Sequence, residues 1–479
     1  MVSEKPGLKR KVYEPLQGQQ GSTVAVHALK KHQRQSSSAI SIVNAPPVLK
    51  SEKLNVYVFG SGSMGELGLG PDANTKIVKR PRLNPHLPID RIGVVDLAVG
   101  GMHCAVISHQ GKIYTWGVND QGALGRDTTW QALSKDMDAE ESDVDSEESG
   151  LNPLESTPAV IEGLKDPIVR VACGDSISVA VTRSGDVYAW GTFRCADGIL
   201  GFSSKQRVAL LPVHLSQLKN VCDVVTGTDH VLAVTYTGQV YAWGNGQQFQ
   251  LGRRVVERTR MNGLVPREFG LKKIKFVGAG SYHSFAVDEK GVVFAWGLNQ
   301  FGQCGVESSS GEDGAVVPSV TRVTSLEGYK IVQITGGEHH SAAVTAEGDL
   351  LMWGRLDAHQ LGLAKDDIPA SAVADFTGKP RFVPIPTKLN GLPPIAQVYC
   401  GSHHNIAIDR NGKAWSWGFG DTYQVGQGPP GDDFEIPTMI DNTASRTAFM
   451  RYGGASAQFS ILCGTPLETN GMNGFQNGH

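Results

Sequence analysis

Six Trp-Gly pairs and one Phe-Gly pair recur within a repeat along this chain of 479 residues, and this repeat constrains the fold more than any other feature. The pairs are Phe59-Gly60, Trp116-Gly117, Trp190-Gly191, Trp243-Gly244, Trp296-Gly297, Trp353-Gly354 and Trp417-Gly418, at spacings of 57, 74, 53, 53, 57 and 64 residues. A Gly-rich segment such as GGMHCAVI or GGEHHSAAV precedes six of them, and a signature such as GALG or HQLG follows. These segments are therefore interpreted as copies of one repeat, and a motif within a copy is not taken as a separate functional site.

Each unit is predicted to consist of short β-strands. Apolar residues alternate or form short runs, and turn signals such as RSGD and RNGK separate the first two strands. Glycine supplies 58 of the 479 residues, about 12% against roughly 7% in average proteins, which indicates many tight turns. No helical period appears, and all-β repeats of about 50–60 residues are typical of propeller blades.

The two ends of the repeat region are complementary halves of one unit. Residues 54–68 contain the second half without a preceding Gly-rich strand, and residues 450–464 contain the first half without a Trp-Gly. The sequence therefore predicts an all-β, seven-bladed β-propeller over residues 51–464, closed by pairing of the N-terminal strand with the C-terminal strands. Such pairing leaves no open sheet edge.

Charged segments lie outside the predicted blades. Residues 1–50 hold eight Lys or Arg against two Glu and few aromatic residues, which favours a disordered basic tail, either a solvating tail or a nuclear import signal and arm for anionic partners. Residues 134–150 hold eight acids and one Lys, as expected of a solvated loop inserted in the propeller. Residues 251–275 form a basic patch, and residues 465–479 are expected to be a second tail.

The bulk composition excludes several classes of protein. The net charge of −3 gives no general affinity for nucleic acid, and no apolar run is long enough to predict a secreted or membrane-spanning chain. The seven cysteines are scattered without a CxxC pair, which favours reduced intracellular thiols over a zinc or thioredoxin-like site.

Motifs of covalent catalysis are not found. The sequence contains no P-loop and no G-x-S-x-G elbow. The pairs His339-His340 and His403-His404 resemble metal ligands, but adjacent residues on a strand point to opposite faces, so neither pair can chelate as a unit. A propeller with varied loops is instead expected to be a binding platform.

The detailed order within the repeat is more specific than a general propeller pattern. Gly-Gly-x-His-[Ser/Thr]-x-Ala-[Val/Ile], then Gly-x-[Val/Ile]-[Tyr/Phe]-x-Trp-Gly, then [Gln/Gly]-x-Leu-Gly resembles the regulator of chromosome condensation family, over about residues 54–464. Strings that the repeat does not require, among them NDQGALGRDT, WGTFRCADGILG, QFQLGRR and GGEHH, resemble the members that exchange guanine nucleotides on the small GTPase Ran. The chain is therefore expected to be a fungal or otherwise divergent relative of these exchange factors.

The resemblance implies a nuclear, chromatin-associated monomer that stabilises nucleotide-free Ran and generates nuclear Ran-GTP. Such a factor performs no covalent chemistry and needs no cofactor of its own, because it acts on the GDP, GTP and Mg²⁺ held by the GTPase. The resemblance implies roles in exchange for Asp175, Asp229 and His339. It also implies a hairpin at residues 193–200 that is pushed towards the nucleotide-binding site of Ran. The residues implied to contact Ran are His103, Phe193, Arg194, Gly198, Leu200 and Arg253.

Chromatin docking is expected through the basic tail and loop, which would meet DNA phosphates and an acidic histone surface. The residues assigned to it are Lys9, Arg10, Lys11, Arg258 and Arg260. The chain departs from the family pattern at Ser63, where an acid is expected, and at Gly302 and Phe459, where histidines are expected.

Two alternatives remain open from the residues alone. Asp175 and Asp229 also fit capping of strand starts, and His339 also fits a structural histidine. A propeller scaffold of the same family without exchange activity would keep every repeat feature. A photoreceptor member of the family is disfavoured, because none of the eight tryptophans lies in a Gly-Trp-Arg-His string.

Overall fold

The computed structural model describes residues 42–131 and 150–467 of the chain. The strands in chain order are β1 (Asn55–Ser61), β2 (Ile77–Leu83), β3 (Val94–Val99), β4 (His103–Ser108), β5 (Ile113–Gly117), β6 (Ala159–Val160), β7 (Ile168–Cys173), β8 (Ile177–Thr182), β9 (Val187–Gly191), β10 (Phe193–Cys195), β11 (Gly198–Gly201), β12 (Ala209–His214), β13 (Val221–Thr226), β14 (His230–Thr235), β15 (Val240–Gly244), β16 (Arg267–Glu268), β17 (Ile274–Ala279), β18 (His283–Asp288), β19 (Val293–Leu298), β20 (Val316–Arg322), β21 (Ile331–Gly336), β22 (His340–Thr345), β23 (Leu350–Arg355), β24 (Val373–Ala374), β25 (Pro380–Lys388), β26 (Ile395–Cys400), β27 (His404–Asp409), β28 (Ala414–Gly418), β29 (Phe434–Met439), β30 (Ala448–Ala455) and β31 (Phe459–Pro466). Helical segments are short: α1 (Pro153–Ser156), α2 (Thr443–Arg446), and 3₁₀ turns at Ala73–Thr75, Glu257–Leu264, Glu307–Ser309, Thr324–Leu326 and Lys365–Asp367.

These strands form the seven predicted blades, each an antiparallel sheet. Blade 1 is β3–β6, blade 2 is β7, β8, β9 and β12, blade 3 is β13–β16, blade 4 is β17–β20, blade 5 is β21, β22, β23, β25 and β24, blade 6 is β26–β29, and blade 7 is β30, β31, β1 and β2. Blade 7 confirms the predicted closure, since Asn55 to Gly60 of β1 pair with Gly464 to Phe459 of β31. The strands β10 and β11 form a separate hairpin after β9.

Two rims follow from the strand register. In each blade the start of the second strand pairs with the end of the third, as His103 does with Gly117 and His340 with Gly354. The turns between first and second strands and the loops after the third strand therefore share one end of the ring, which we call the upper rim. The hairpins between second and third strands mark the opposite end, the lower rim.

Histidines at the start of the second strand join neighbouring blades. Nε2 of His103 lies 2.7 Å from the Ser178 hydroxyl of the next blade, and that hydroxyl donates its only proton to the Ala123 carbonyl oxygen at 2.9 Å. The histidine is therefore the donor. Equivalent pairs are His230 with Ser284, His283 with Ser341, His340 with Asn405, and His404 with Ser460. All five histidines are fully buried, so their role is structural.

Two blades carry an apolar residue at the histidine position. The next blade then has no Ser or Asn at the position that would accept the histidine's hydrogen bond. Phe459 of blade 7 and Cys104 of blade 1 belong to one buried cluster, and Ile177 of blade 2 and Val231 of blade 3 belong to another. A histidine opposite cysteine or valine would lack the hydroxyl or amide acceptor that the other five have. Phe459 therefore replaces the histidine hydrogen bond with apolar packing against blade 1.

The propeller is longer at both ends than the predicted range of 51–464. Before β1, the backbone amides of Val43 and Asn44 donate to the Tyr236 carbonyl oxygen, and the Asn44 amide group donates to Thr235 and Ile274 carbonyl oxygens at 3.1 and 2.9 Å. Lys50 pairs with Asp96 at 2.9 Å. At the other end, Leu467 donates to the Thr447 carbonyl oxygen at 2.8 Å. Residues 42–50 are therefore an ordered arm, and the remainder of the predicted tails and residues 134–149 of the acidic insertion lie outside the described residues.

Candidate functional site

A ring of hydrogen bonds surrounds the channel at the upper rim. The links run from the Gly101 amide to the Gly174 carbonyl oxygen, Asp175 to Thr228, Thr228 to Ser281, Ser281 to Gly337, Glu338 to Ser402, Ser402 to Ser456, and from the Ser456 hydroxyl back to Gly101. They enclose a cavity of about 510 Å³. Its lining is mostly backbone of these turns, and its ionisable side chains include Glu66, Asp175 and Glu338. The turns are thereby held as one frame, which fixes the side chains that they carry.

The predicted hairpin is present on this rim and is tied to two of the predicted acids. In the hairpin, Arg194 pairs with Ile199 and Cys195 with Gly198. The Arg194 amide donates to Oδ1 of Asp229 at 2.6 Å, and the Arg194 guanidinium lies 3.7 Å from Oδ2 of Asp175. The two acids therefore anchor the base of the hairpin from blades 2 and 3.

Burial disfavours the ionised form of both acids. Desolvation raises the pKa of Asp229 to about 7, although the bond from the Arg194 amide opposes this, and the nearby Asp175 charge raises it further. Desolvation also raises the pKa of Asp175, against the effect of Arg194. A carboxylate in such a state gains free energy when a cation approaches it, which makes the pair a site for a partner's Lys or Arg side chain.

His339 lies on the same rim, in blade 5. Its ring packs edge-on against Phe301, with centroids 5.0 Å apart, and lies 6.2 Å from Tyr282 of blade 4. Burial, followed by the charge of Arg355, lowers the pKa of His339 to about 4, so the ring is neutral at physiological pH. Tyr282 lies between Asp229 and His339, because it belongs to the first turn of blade 4, which stands between blades 3 and 5. Asp175, Asp229 and His339 thus belong to one arc of the upper rim.

The adjacent His340 has a different role from His339. Its ring is fully buried between blades and bonded to Asn405, whereas His339 is partly exposed on the rim. The alternation of a β-strand separates the two side chains, as the sequence predicted.

Glu338 is a rim residue that the sequence interpretation missed. Its carboxylate lies 3.3 Å from Nε2 of His403 and 3.7 Å from Nδ1 of His339. Counted from the start of the second strand, Glu338 occupies the same repeat position as Asp175, and His339 the same position as Asp229. Alignment of the seven turns by this register would have identified it.

Several residues assigned to contact a partner are not available for it. His103 is fully buried in its bond to Ser178, so that prediction does not fit the structure. Phe193 is also fully buried, where its ring packs against Gly244 of the next blade, and Leu200 is buried beneath the hairpin. In the hairpin, Arg194 is exposed and Gly198 is half-buried with a φ of 107°. The apolar pair therefore holds the hairpin, and its exposed residues are the ones that are accessible to a partner.

Arg253 is half-buried and makes hydrogen bonds within its own blade. Its guanidinium donates to the carbonyl oxygens of Ala242 and Val265, both at 3.2 Å, and burial lowers its pKa to about 10. Arg126 occupies the same repeat position in blade 1 and donates to the Thr115 carbonyl oxygen at 2.9 Å. One nitrogen of the Arg253 guanidinium is therefore bonded within the blade, and the assignment of Arg253 to partner contact stays a prediction.

The basic loop has one free and one paired arginine among those assigned to chromatin. Arg258 is exposed on the 3₁₀ segment at Glu257–Leu264. Arg260 contacts the carboxylate of Asp197 at the tip of the hairpin and lies 2.9 Å from Glu257. Lys9, Arg10 and Lys11 lie outside the described residues.

The two remaining departures from the family pattern have different surroundings. Ser63 is exposed in the loop after β1. Gly302 has a φ of 71°, and a Cβ atom there would lie 2.5 Å from Cα of Pro384, so a histidine cannot replace it without moving the backbone of blade 5. Its identity is therefore set by packing in this chain.

Within residues 42–131 and 150–467, His, Cys, Asp and Glu side chains form no group of three that would hold a metal ion. No helix in that part of the chain is long and apolar enough to cross a membrane.

Comparison with known proteins gives one consistent result. The family model of the RCC1-like domain matches residues 55–462. The chain is 49% identical over 443 residues to protein pim1 of Schizosaccharomyces pombe, covering 92% of this chain and 80% of that protein. It is 45% identical over 466 residues to the guanine nucleotide exchange factor SRM1 of Saccharomyces cerevisiae, covering 94% and 95%. The crystal structure of Prp20p from Saccharomyces cerevisiae superposes with a TM-score of 0.82 at 43% identity, covering 89% of this chain and 96% of that one.

Proposed function

The chain belongs to the family of RCC1-like domains, and from that premise we propose that it is a guanine-nucleotide exchange factor for the small GTPase Ran. The similarity to SRM1, which is named as such a factor, extends over nearly the whole of both chains. Prp20p is described with its binding to Gsp1p and histones. The observation that carries the proposal is the meeting of the hairpin with Asp175 and Asp229 on the rim that also holds His339.

Exchange of this kind requires binding energy and no covalent step. The factor binds nucleotide-free Ran tightly and nucleotide-bound Ran weakly, and reciprocity then makes the nucleotide expel the factor as the factor expels the nucleotide. GDP, GTP and Mg²⁺ belong to the GTPase, so this chain needs no cofactor of its own. The cellular excess of GTP over GDP gives the reaction its direction.

The acids supply the charge that competes with the nucleotide. A lysine of the GTPase that holds phosphate would gain Asp229 or Asp175 as an alternative anion. Because Asp229 is buried and its pKa is raised, an incoming ammonium group would restore its ionised form and gain more than at an exposed pair, for which about 0–1 kcal/mol is usual. The hairpin, held from below by Phe193, would displace the loop that binds the nucleotide and its Mg²⁺.

Release of a fluorescent GDP analogue from Ran tests this proposal. Asp229→Ala and His339→Ala are expected to slow release at least tenfold. Glu347→Gln, which changes an exposed acid in the lower-rim hairpin of blade 5, is the matched control and is expected to keep the wild-type rate. Wild-type rates in both upper-rim variants would remove the site assignment.

We also propose that the factor acts in the nucleus while docked on chromatin. The basic segment presents Arg258 to solvent, and such a side chain suits an acidic histone surface. The basic residues of the N-terminal tail would neutralise DNA phosphates, which makes binding depend on salt.

Nucleosome binding across a salt series tests the docking proposal. Deletion of residues 1–41 is the appropriate truncation, because deletion to residue 50 would also remove the Asn44 and Lys50 contacts with the propeller. The truncation is expected to weaken binding and reduce its salt slope, and Arg258→Ala to weaken it further. An unchanged slope would refute the role of the tail.

A further inference from the structure

Blade 5 departs from the repeat by carrying a fifth strand. The strand β24 lies outside β25, pairing Val373 with Phe382 and Ala374 with Pro380, whereas the other blades have four strands within the described residues. The first residues of β25 lie beside the end of β23 on the upper rim, since Arg355 pairs with Phe382. The turn between β24 and β25, residues 375–379, therefore projects beyond that rim.

This second hairpin presents a fully exposed aromatic residue on a rigid turn. Phe376 at its tip is completely accessible to solvent. The Asp375 carboxylate accepts bonds from the Thr377 amide at 2.8 Å and the Lys379 amide at 3.0 Å, and the Asp375 amide donates to the Lys379 carbonyl oxygen at 2.9 Å. A single exposed apolar side chain is common on protein surfaces, so the position of this turn on the rim decides what it can do.

The base of this hairpin is linked to the predicted exchange site. The Arg381 guanidinium lies 4.9 Å from the centre of the Phe301 ring, and that ring packs edge-on against His339. Phe376 thus extends the arc of the upper rim outward from His339. The hairpin of blade 2, which bears Arg194, stands at the other end of the same arc.

We propose that Phe376 is an apolar anchor for the same GTPase, inserted into a hydrophobic depression on its surface. The inference rests on the proposed function, since it takes its partner from there. Interface energy concentrates in a few large side chains, and rigid presentation lowers the entropy lost on binding. Two hairpins at opposite ends of one arc would fix the orientation of the GTPase over the channel mouth, with charged contacts at one end and the apolar contact at the other.

The test measures affinity for nucleotide-free Ran with the full chain. Phe376→Ala is expected to raise the dissociation constant about tenfold, and Phe376→Leu, which keeps most of the apolar area, by less than about threefold. Tyr329→Ala is the matched control, since this exposed aromatic residue lies between blades 4 and 5 on the lower rim. The factor lost in Phe376→Ala should stay the same between about 50 and about 300 mM salt, as expected of an apolar contact.

The outcomes separate this inference from the proposed function. If the wild-type chain exchanges nucleotide and Phe376→Ala binds as tightly as wild type, the anchor is refuted while the exchange function stands. Equal losses in Phe376→Ala and Tyr329→Ala also refute it. A wild-type chain that neither binds nor exchanges Ran refutes both. Because Phe376 is fully exposed, thermal unfolding of the variant should match that of the wild type.

Discussion

The backbone amide of Arg194 donates a hydrogen bond of 2.6 Å to Oδ1 of Asp229, which joins the hairpin of blade 2 to the first turn of blade 3. The bond places a buried carboxylate directly under the element that departs most from the repeat. Asp229 therefore has two roles that can be separated by experiment. Its oxygen accepts the bond that positions the hairpin, and its carboxylate carries a buried negative charge.

Asp229→Asn is expected to stabilise the fold at neutral to alkaline pH and to impair exchange. The folded-state pKa of about 7 lies above the ordinary value of 3.8, so the contribution of this group to stability is fully present below about pH 4 and is lost as the pH rises through 7. The difference corresponds to about 4 kcal/mol as an upper limit. Asparagine keeps the acceptor for the Arg194 amide and removes the charge.

The measurement is thermal unfolding of both proteins at pH 5 and pH 8, with GDP release at pH 8. The variant should unfold at a higher temperature than the wild type at pH 8, with a smaller advantage at pH 5. A variant that is less stable at pH 8, or that exchanges at the wild-type rate, would contradict the role given to this charge.

His339 and His340 of blade 5 are adjacent but have different roles, so the same substitution can be compared at both positions. His340→Ala leaves the Asn405 carbonyl without its buried donor and opens space between blades, so the free energy of unfolding should fall by about 1–3 kcal/mol. His339→Ala should leave unfolding within about 1 kcal/mol of the wild type and slow exchange instead. Chemical denaturation and GDP release on both variants check this; reversed effects would assign the two roles to the wrong residues.

Glu66 offers a test of the repeat itself. It occupies the position that Gln250, Gln303 and Gln360 hold in other blades, and each of these four side chains accepts a bond from the amide two residues earlier. Burial raises the pKa of Glu66. Glu66→Gln should therefore unfold at a higher temperature than the wild type at pH 8, and the gain should shrink as pH falls and the glutamate takes up a proton. Destabilisation at pH 8 would show that the charge has a partner on which the fold depends.

The contact between Arg260 and Asp197 connects the basic loop to the tip of the exchange hairpin. Arg260→Ala should slow GDP release by less than about fivefold, because an ion pair exposed to solvent contributes little. Arg258→Ala, two residues away and exposed, should leave release unchanged. Equal effects of the two variants would mean that general charge, and not the link to Asp197, controls the hairpin.

The sequence was informative wherever a feature repeats or breaks the repeat. Strand periodicity and the half-units at the ends predicted seven blades and the pairing of β1 with β31. The hairpin at residues 193–200 was implied by the resemblance to the family, and the structure contains it. The blades and their closure depend on local order along the chain, which the sequence displays directly.

The contacts between blades could not be predicted in the same way. The partner of His103 is Ser178, 75 residues later, and pairing at that distance has no local pattern. The carbonyl oxygens bound by Arg253 and the ordered arm at Asn44 are also set by tertiary packing. The exposure of Phe376 could not be predicted either, because an aromatic residue in a loop has no periodicity to break.

An exchange factor must prefer Ran without nucleotide, so its affinities for nucleotide-free and GTP-loaded Ran should be compared in one binding assay. We expect the empty GTPase to bind about 100-fold or more tightly, since the coupling between factor and nucleotide is reciprocal. Equal affinity for the two forms would contradict it and would favour a propeller scaffold without exchange activity.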